Sequence, residues 1–278
     1  MRLIMRFSVI LSAVAVMLLM IGCGAKPESG TSGQTAAPKA SPEAPAAAVE
    51  LTVSAAASLT DALKEIQKLY EAEHKGVKLN FNFGASGTLQ QQIEQGAPAD
   101  LFLSAAAKNM KTLVDKQLVE AGSQKTVLLN ELVVVLPADG KVPVAALADV
   151  TKPEVKHVAI GIPESVPAGQ YAQEALKNAK LWDGLQERLV QAKDVRAVLQ
   201  YVETGNADAG FVYKTDALTS SKVKIAFAVD AGMYKPVEYP FGIVKGTQHS
   251  TEAQQFYDYL QTPDAMKVFA KYGFSATK

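Results

Sequence analysis

The sequence predicts an α/β fold, and three observations support this prediction. Of the 278 residues, 48% are hydrophobic and 20% are charged, which is enough apolar side chain to build a core. From residue 50 onward, short β-rich runs alternate with segments of helical periodicity, an order typical of α/β proteins with mostly parallel, buried strands. About 230 residues follow the first 48, which is sufficient for two lobes of ordinary size.

The strands are predicted from alternation and from β-branched runs. In 78–83, Leu79, Phe81 and Phe83 lie on one face and polar residues lie on the other. The run 126–136 is long and rich in β-branched residues, so we predict one long strand there. The remaining predicted strands are 51–54, 101–104, 157–162, 209–212, 223–229 and 237–244.

The helices are predicted from apolar residues that recur every three to four positions. Leu59, Leu63, Ile66 and Tyr70 have this spacing and predict a helix from residue 58 onward. Further helices are predicted at 87–95, 106–117, 169–178, 195–203, 251–261 and 263–272.

The long strands near 128–136 and 237–244 are candidates for the segments that pass between two lobes. This arrangement predicts a first lobe made of 50–133 and 238–278, from both ends of the chain, and a second lobe made of 134–237.

The N-terminus has the pattern of an export signal. Arg2 and Arg6 precede 15 uncharged residues, fewer than a membrane-spanning helix needs, so we predict a signal peptide at 1–22. The sequence Met-Ile-Gly before Cys23 resembles a bacterial lipobox, with Met where Leu is usual. Cys23 would then be lipidated and would anchor the exported protein at the outer face of the cell membrane. The alternative is an ordinary secreted protein with a stray cysteine.

Residues 24–48 consist mainly of Pro, Gly, Ser, Thr and Ala. Such a segment cannot bury enough apolar surface to offset the entropy of ordering it. Residues 23–49 are therefore predicted to be the lipidated cysteine and a flexible linker.

Charge and residue counts exclude several classes of protein. Lys and Arg number 28, as do Asp and Glu, so the basic excess of a general nucleic-acid binder is absent. The single cysteine excludes an internal disulfide and a Cys-rich metal site. His74, His157 and His249 are too far apart in sequence for a zincin-type helix.

Small and hydroxyl residues precede four of the predicted helices, and they are candidates for binding an anion. Ser58, Ser86 and Asp194 are each predicted to be N-caps, and 163–169 leads into a helix with Pro and small residues. The first turn of a helix has unpaired N–H groups and a partial positive charge, so several converging helix starts can bind an anion without Lys or Arg. Tyr213, at a predicted strand end, could add a phenol donor.

Several blocks of sequence across 50–278 have the order and spacing of a known family. They include AAASLTDAL, GASGTLQQQIEQGAPADLFLSA, VPAGQYAQEAL, DVRAVL, GFVYKTDA and VEYPFGIV. Together they resemble the molybdate-binding proteins of ABC importers. The resemblance implies a two-lobed periplasmic-binding-protein type II architecture with the ligand in the interlobe cleft. It also implies that hydrogen bonds, without direct metal coordination, hold the oxyanion at Ser58, Ser86, Ala168, Val195 and Tyr213.

The resemblance further implies a binding protein that is not an enzyme and has no cofactor. Its expected ligand is molybdate or tungstate, its expected partners are a membrane permease and a cytoplasmic ATPase, and a monomer is expected. Ala85 and Gly87 flank Ser86 where some relatives carry serines, so fewer spare hydroxyls are expected on that wall.

Ligand chemistry favours molybdate or tungstate, because these dianions are fully deprotonated at neutral pH and only accept hydrogen bonds. Phosphate keeps a proton and would benefit from a buried carboxylate acceptor, which none of the five implied contacts supplies. Sulfate has the same charge and shape, so its exclusion would depend on cavity size.

Other functions remain open at this point. The alternatives are a binding protein for sulfate, phosphate, ferric iron or an amino acid, and a structural surface lipoprotein. A serine hydrolase would need a nucleophile elbow, but GASGT ends in Thr88 and no His motif accompanies it. No Walker motif is present.

Overall fold

The computed structural model describes residues 48–277. The predicted signal peptide, the lipidation site Cys23 and the linker up to residue 47 lie outside the described residues. Within residues 48–277, none of the helices has the length and apolar character needed to cross a membrane.

The first sheet is mixed and contains strands from both ends of the described chain. Its order is β11-β4-β10-β3-β1-β2. The parallel pairs are β1 with β2 and with β3, whereas β10 runs antiparallel to β3 and β4, and β11 antiparallel to β4. The strands are β1 (Val49–Ala56), β2 (Val77–Gly84), β3 (Leu101–Leu103), β4 (Val119–Asn130), β10 (Val237–Val244) and β11 (Ser275–Ala276).

The second sheet is also mixed and contains the strands between β4 and β10, in the order β7-β6-β8-β5-β9. Here β6 runs parallel to β7 and β8, and β5 runs antiparallel to β8 and β9. The strands are β5 (Leu132–Pro137), β6 (Val158–Gly161), β7 (Leu189–Ala192), β8 (Ala209–Tyr213) and β9 (Val223–Ala228).

Helices fill the connections, so the predicted α/β class is confirmed. They are α1 (Thr60–Glu73), α2 (Ser86–Glu94), α3 (Ala107–Asp115), α4 (Pro167–Asn178), α5 (Trp182–Leu185), α6 (Val195–Glu203), α7 (Lys214–Ala217), α8 (Ser250–Tyr259) and α9 (Pro263–Lys271). The expectation of mostly parallel strands was wrong, because β4, β5 and β10 each form antiparallel ladders with their neighbours.

The predicted strand at 126–136 is in fact two strands in different sheets. The chain leaves the first sheet at Asn130, breaks at Glu131 and enters the second sheet at Leu132. β10 lies wholly in the first sheet, so the return between the sheets occurs before Val237. The segment 128–136 therefore does pass between the sheets, as predicted, although as two strands with a break at Glu131, whereas 237–244 does not. The division into lobes at 133/134 and 237/238 stays a prediction.

Two glycines bring α4 close to the second sheet. A Cβ atom at Gly169 would overlap the carbonyl oxygen of Gly161, and a Cβ atom at Gly161 would overlap Val166. Because neither residue has a side chain, the first turn of α4 packs directly against the end of β6. This packing places the N-terminus of α4 at the functional site described below.

Candidate functional site

A small cavity lies where the carboxyl ends of parallel strands from both sheets meet. Ala56 ends β1, Gly84 ends β2 and Tyr213 ends β8, and all three line this cavity. Ligands of α/β proteins typically bind at this edge of a sheet. The other lining residues are Ala57, Ser58, Ala85, Ser86, Ala105, Val166, Pro167, Ala168 and Val195.

The structure brings together all the residues implied as ligand contacts. Ser58, Ser86, Ala168, Val195 and Tyr213 each line the cavity, although they span more than half of the chain. The space in the cavity that is open to the centre of a water molecule is about 10 Å³, far below the roughly 300–1,000 Å³ of pockets for drug-sized ligands. The cavity therefore suits a ligand of a few heavy atoms.

Ser58 is not the helix cap that its position suggested. It lies inside a short 3₁₀ turn, Ala57–Leu59, and the structure shows no side-chain cap for this turn or for α1. Its Oγ instead lies 2.8 Å from the Oη of Tyr239, and both groups are buried. The capping prediction was wrong because residue 58 is already part of a helical turn, whereas a cap residue lies just outside the helix.

Ser86 is likewise not a cap. It is the first residue of α2, and Ala85 occupies the cap position in an extended conformation. The Oγ of Ser86 accepts a hydrogen bond of 2.9 Å from the backbone N–H of Ala105, which follows β3. This contact fixes the hydroxyl group at the cavity wall.

Ala168 and Val195 lie in the first turns of α4 and α6, where backbone N–H groups have no partner within the helix. Pro167 occupies the first helical position of α4, which favours the start of a helix. The predicted cap Asp194 is confirmed, since its Oδ1 accepts from the N–H of Ala197 at 2.8 Å. Both helices therefore direct the positive ends of their dipoles at one cavity.

Tyr213 carries a hydroxyl group that the protein itself does not satisfy. The residue is 1% exposed, and its Oη has no hydrogen-bond partner among the described residues. Burial raises the pKa of this phenol well above its usual range, so it stays protonated and can donate. A buried unpaired hydroxyl is costly, and a ligand oxygen in the cavity would remove that cost.

The cavity has no charged lining residue among those described. Arg196 follows Val195 but does not line the cavity, because it pairs with Asp61 and Asp216. Asp216 is fully buried, and desolvation raises its pKa to about 6, although Arg196 lowers it. A ligand in this cavity would contact neutral donors only.

A larger open groove of about 490 Å³ is a poorer candidate for binding an anion. Its lining includes Glu164, Glu174 and Glu238 together with Lys108 and Lys235. Carboxylates at this density repel anions. None of the five residues implied as ligand contacts lines it.

The two sides of the cavity also touch each other directly. The N–H of Gly87, in the first turn of α2, donates to the carbonyl oxygen of Ser165, just before α4, at 2.9 Å. A Cβ atom at Gly87 would lie 2.6 Å from that oxygen. The contact closes the wall between Ser86 and Ala168, and it requires glycine.

Two polar residues beside the cavity were missed from the sequence. Tyr239 bonds to Ser58, and Asn130 donates from its Nδ2 to the Oη of Tyr239 at 3.1 Å. Tyr239 lies within the block VEYPFGIV, so its presence was visible, but its partner is 181 residues away. Local patterns do not reveal contacts at that separation.

Among residues 48–277, no group of three or more His, Cys, Asp or Glu side chains could hold a metal ion.

An α/β fold with two mixed sheets and a small donor-lined cavity between them defines a class of solute-binding proteins.

Comparisons with known proteins agree with this class. Residues 51–275 match the family described as bacterial extracellular solute-binding protein. The molybdate-binding protein ModA of Haemophilus influenzae is 42% identical over 83% of this chain and 92% of its own length. YvgL of Bacillus subtilis, provisionally named an ABC transporter substrate-binding lipoprotein, is 46% identical over 98% of both chains.

A solved structure agrees as well. The periplasmic molybdate-binding protein of Azotobacter vinelandii superimposes with a TM-score of 0.75 at 26% identity, covering 82% of this chain and all of that one. The chain belongs to the bacterial extracellular solute-binding protein family, in the group that contains the ModA molybdate-binding proteins.

Proposed function

We propose that this protein binds molybdate, with tungstate as an equivalent ligand, and delivers it to the permease of an ABC importer. The ligand occupies the small cavity and accepts hydrogen bonds from Ser58, Ser86 and Tyr213 and from the backbone N–H groups of Ala168 and Val195. The protein binds the anion without transforming it.

The buried, unpartnered hydroxyl of Tyr213 carries this proposal. The phenol has no acceptor among residues 48–277 and lies in a cavity that also receives the first turns of α4 and α6, so an acceptor from outside the chain would satisfy it. A tetrahedral oxyanion supplies several acceptor oxygens to donors on different sides of the cavity. The names of the curated relatives support molybdate as that anion.

Sulfate is the second candidate, because it has the same charge and shape and also accepts hydrogen bonds only. None of the described lining residues is a basic residue that would distinguish anions by charge. Discrimination between molybdate and sulfate then depends on cavity size, since the molybdenum–oxygen bonds are longer than the sulfur–oxygen bonds.

Delivery and location complete the proposal. The protein is exported by the signal peptide 1–22, anchored through lipidated Cys23, and tethered by the linker 23–49. It acts as a monomer, and the permease with its cytoplasmic ATPase takes up the anion. The lobes 50–133 with 238–278, and 134–237, close on the ligand, and the closed form is the one that the permease senses.

A thermal-shift titration of the protein against molybdate, tungstate, sulfate, phosphate and ferric iron tests the proposal. A ligand at 100 times its Kd adds about 2.7 kcal/mol of stability. We expect large shifts with molybdate and tungstate, and a much smaller shift in a variant that carries Ser58→Ala and Ser86→Ala. A shift with sulfate or phosphate alone would contradict the molybdate assignment, and no shift at all would contradict oxyanion binding.

A further inference from the structure

The side chain of Asn130 has a fixed orientation. Its Oδ1 accepts a hydrogen bond of 2.9 Å from the backbone N–H of Glu131, and a backbone N–H can only donate. The amino end therefore faces the other way. There Nδ2 donates to the Oη of Tyr239 at 3.1 Å and to the Oγ1 of Thr215 at 2.8 Å. Both amide protons of Asn130 therefore have an acceptor.

The orientation of Asn130 determines which way the hydroxyl proton of Tyr239 points. The Oη of Tyr239 accepts from Asn130, so its single proton is free for its other neighbour, the Oγ of Ser58 at 2.8 Å. If Ser58 donated instead, the buried proton of Tyr239 would be left without an acceptor, because Asn130 presents no lone pair to the phenol. Ser58 therefore accepts from Tyr239, and its own proton is left for the cavity that it lines.

Ser86 is oriented in the same sense by a different group. Its Oγ accepts from the backbone N–H of Ala105, which cannot turn round. The proton of Ser86 is therefore also available to the cavity. Both serines are buried, so water does not compete for these positions.

We propose that Asn130 and Tyr239 are specificity-determining residues that hold Ser58 as a hydrogen-bond donor, so that the site selects fully deprotonated tetrahedral oxyanions over protonated ones. The inference rests on the proposed function. A protonated anion such as hydrogen phosphate must donate its proton to an acceptor. The side of Ser58 that faces the cavity carries a proton instead, and no carboxylate lines the described cavity wall. Neither residue lines the cavity, so both act through Ser58.

Reversal of the proton direction tests this inference. Asn130→Asp replaces the amino donor with a carboxylate acceptor, so the proton of Tyr239 turns toward residue 130 and Ser58 turns its proton toward Tyr239. Ser58 then presents a lone pair to the cavity. Tyr239→Phe is the neutral companion variant, which frees Ser58 without adding a charge. The matched control is Tyr70→Phe, since Tyr70 is equally buried, does not line the cavity, and has no partner for its hydroxyl within the part of the chain that the structure describes.

Calorimetric titrations with molybdate, sulfate and phosphate at about pH 7 provide the measurement. In Asn130→Asp we expect the affinities for molybdate and sulfate to fall together by about tenfold. In both variants we expect the ratio of molybdate to phosphate affinity to fall by about tenfold, because Ser58 can then present a lone pair to the cavity. The added charge of Asn130→Asp repels all three anions, which is why the ratio, and the neutral variant, decide the question. Tyr70→Phe should leave every affinity unchanged.

Two results would overturn the inference, and they are distinguishable. If the unmodified protein binds molybdate but both variants keep its molybdate-to-phosphate ratio, the role of Asn130 and Tyr239 is wrong and the proposed function stands. If the unmodified protein binds none of the three anions, the proposed function fails and the inference fails with it. Melting of the unliganded variants verifies that they are folded.

Discussion

Arg196 on α6 and Asp61 on α1 form an ion pair, with 2.6 Å between Nη2 and Oδ2. Helix α1 packs on β2 of the first sheet, and α6 packs on β6 and β8 of the second. The ion pair therefore links a helix packed on the first sheet to a helix packed on the second sheet, and it lies next to Val195 at the cavity. The Nε of the same guanidinium lies 2.6 Å from the Oδ1 of Asp216, which is fully buried.

The first prediction concerns the stability that the ion pair between Arg196 and Asp216 provides. Arg196→Ala leaves the carboxylate of Asp216 buried without a counter-charge, and loss of one partner of a buried pair costs about 3–5 kcal/mol. We expect the free energy of unfolding to fall by about 3 kcal/mol at pH 8, measured by urea denaturation. Lys111→Ala, which removes a highly exposed partner of Asp115, is the control and should change stability little. Equal effects of the two substitutions would contradict the prediction.

The second prediction concerns pH. Burial raises the pKa of Asp216 to about 6 in the folded protein, above its usual value of 3.8. The folded state therefore binds the proton more tightly than the unfolded state does, and this contribution to stability is lost as the pH rises through about 6. We expect the stability of the unmodified protein relative to Asp216→Asn to fall by about 2 kcal/mol between pH 4 and pH 7. Denaturation curves of both proteins across this range measure it. A difference that stays constant, or grows, would show that the carboxyl is not buried as described.

The third prediction concerns the phenol in the cavity. Tyr213→Phe removes a donor to the ligand but breaks no hydrogen bond among residues 48–277, where the Oη of Tyr213 has no partner. We expect the affinity for molybdate to fall by about tenfold or more while the stability of the unliganded protein is kept or raised. Tyr171→Phe is the control, since its ring lies 6.5 Å from that of Tyr213 and it does not line the cavity. Loss of stability without loss of affinity would contradict a ligand-binding role.

The fourth prediction concerns the contact between Gly87 and Ser165. Gly87→Ala suits the helix but places a Cβ atom 2.6 Å from the carbonyl oxygen of Ser165. We expect weaker molybdate binding and a larger radius of gyration with ligand present, measured by calorimetry and small-angle scattering. Gly184→Ala on α5, where a Cβ atom meets nothing within 4 Å, should bind as the unmodified protein does. Unchanged binding by Gly87→Ala would show that this contact is not needed for the liganded form.

Local chemistry explains which features were predictable from the sequence. Helix α6 begins at Val195 after the Asp194 cap, as predicted, because a cap is a contact between residues three positions apart. The sequence also predicted the strand β10 at its observed bounds, since a short apolar run of this kind favours a β-strand.

Features set by distant contacts were not predictable in this way. Nothing in the run 126–136 marks Glu131 as the point where the chain changes sheets, because β-branched residues stand on both sides of it. The polar first half of β4 is extended because it pairs with β10, more than 100 residues later. For the same reason the roles of Ser58 and Ser86 as caps were predicted wrongly, since their true partners, Tyr239 and Ala105, lie far away in sequence.

A crystal structure of the protein grown with molybdate, with data collected at the molybdenum absorption edge, tests the central claim most directly. We predict one strong anomalous peak inside the cavity, with its oxygen atoms within hydrogen-bonding distance of Tyr213 Oη, the hydroxyls of Ser58 and Ser86, and the first turns of α4 and α6. A peak in the open groove beside Lys108 and Lys235, or a cavity without a peak at saturating molybdate, would contradict it.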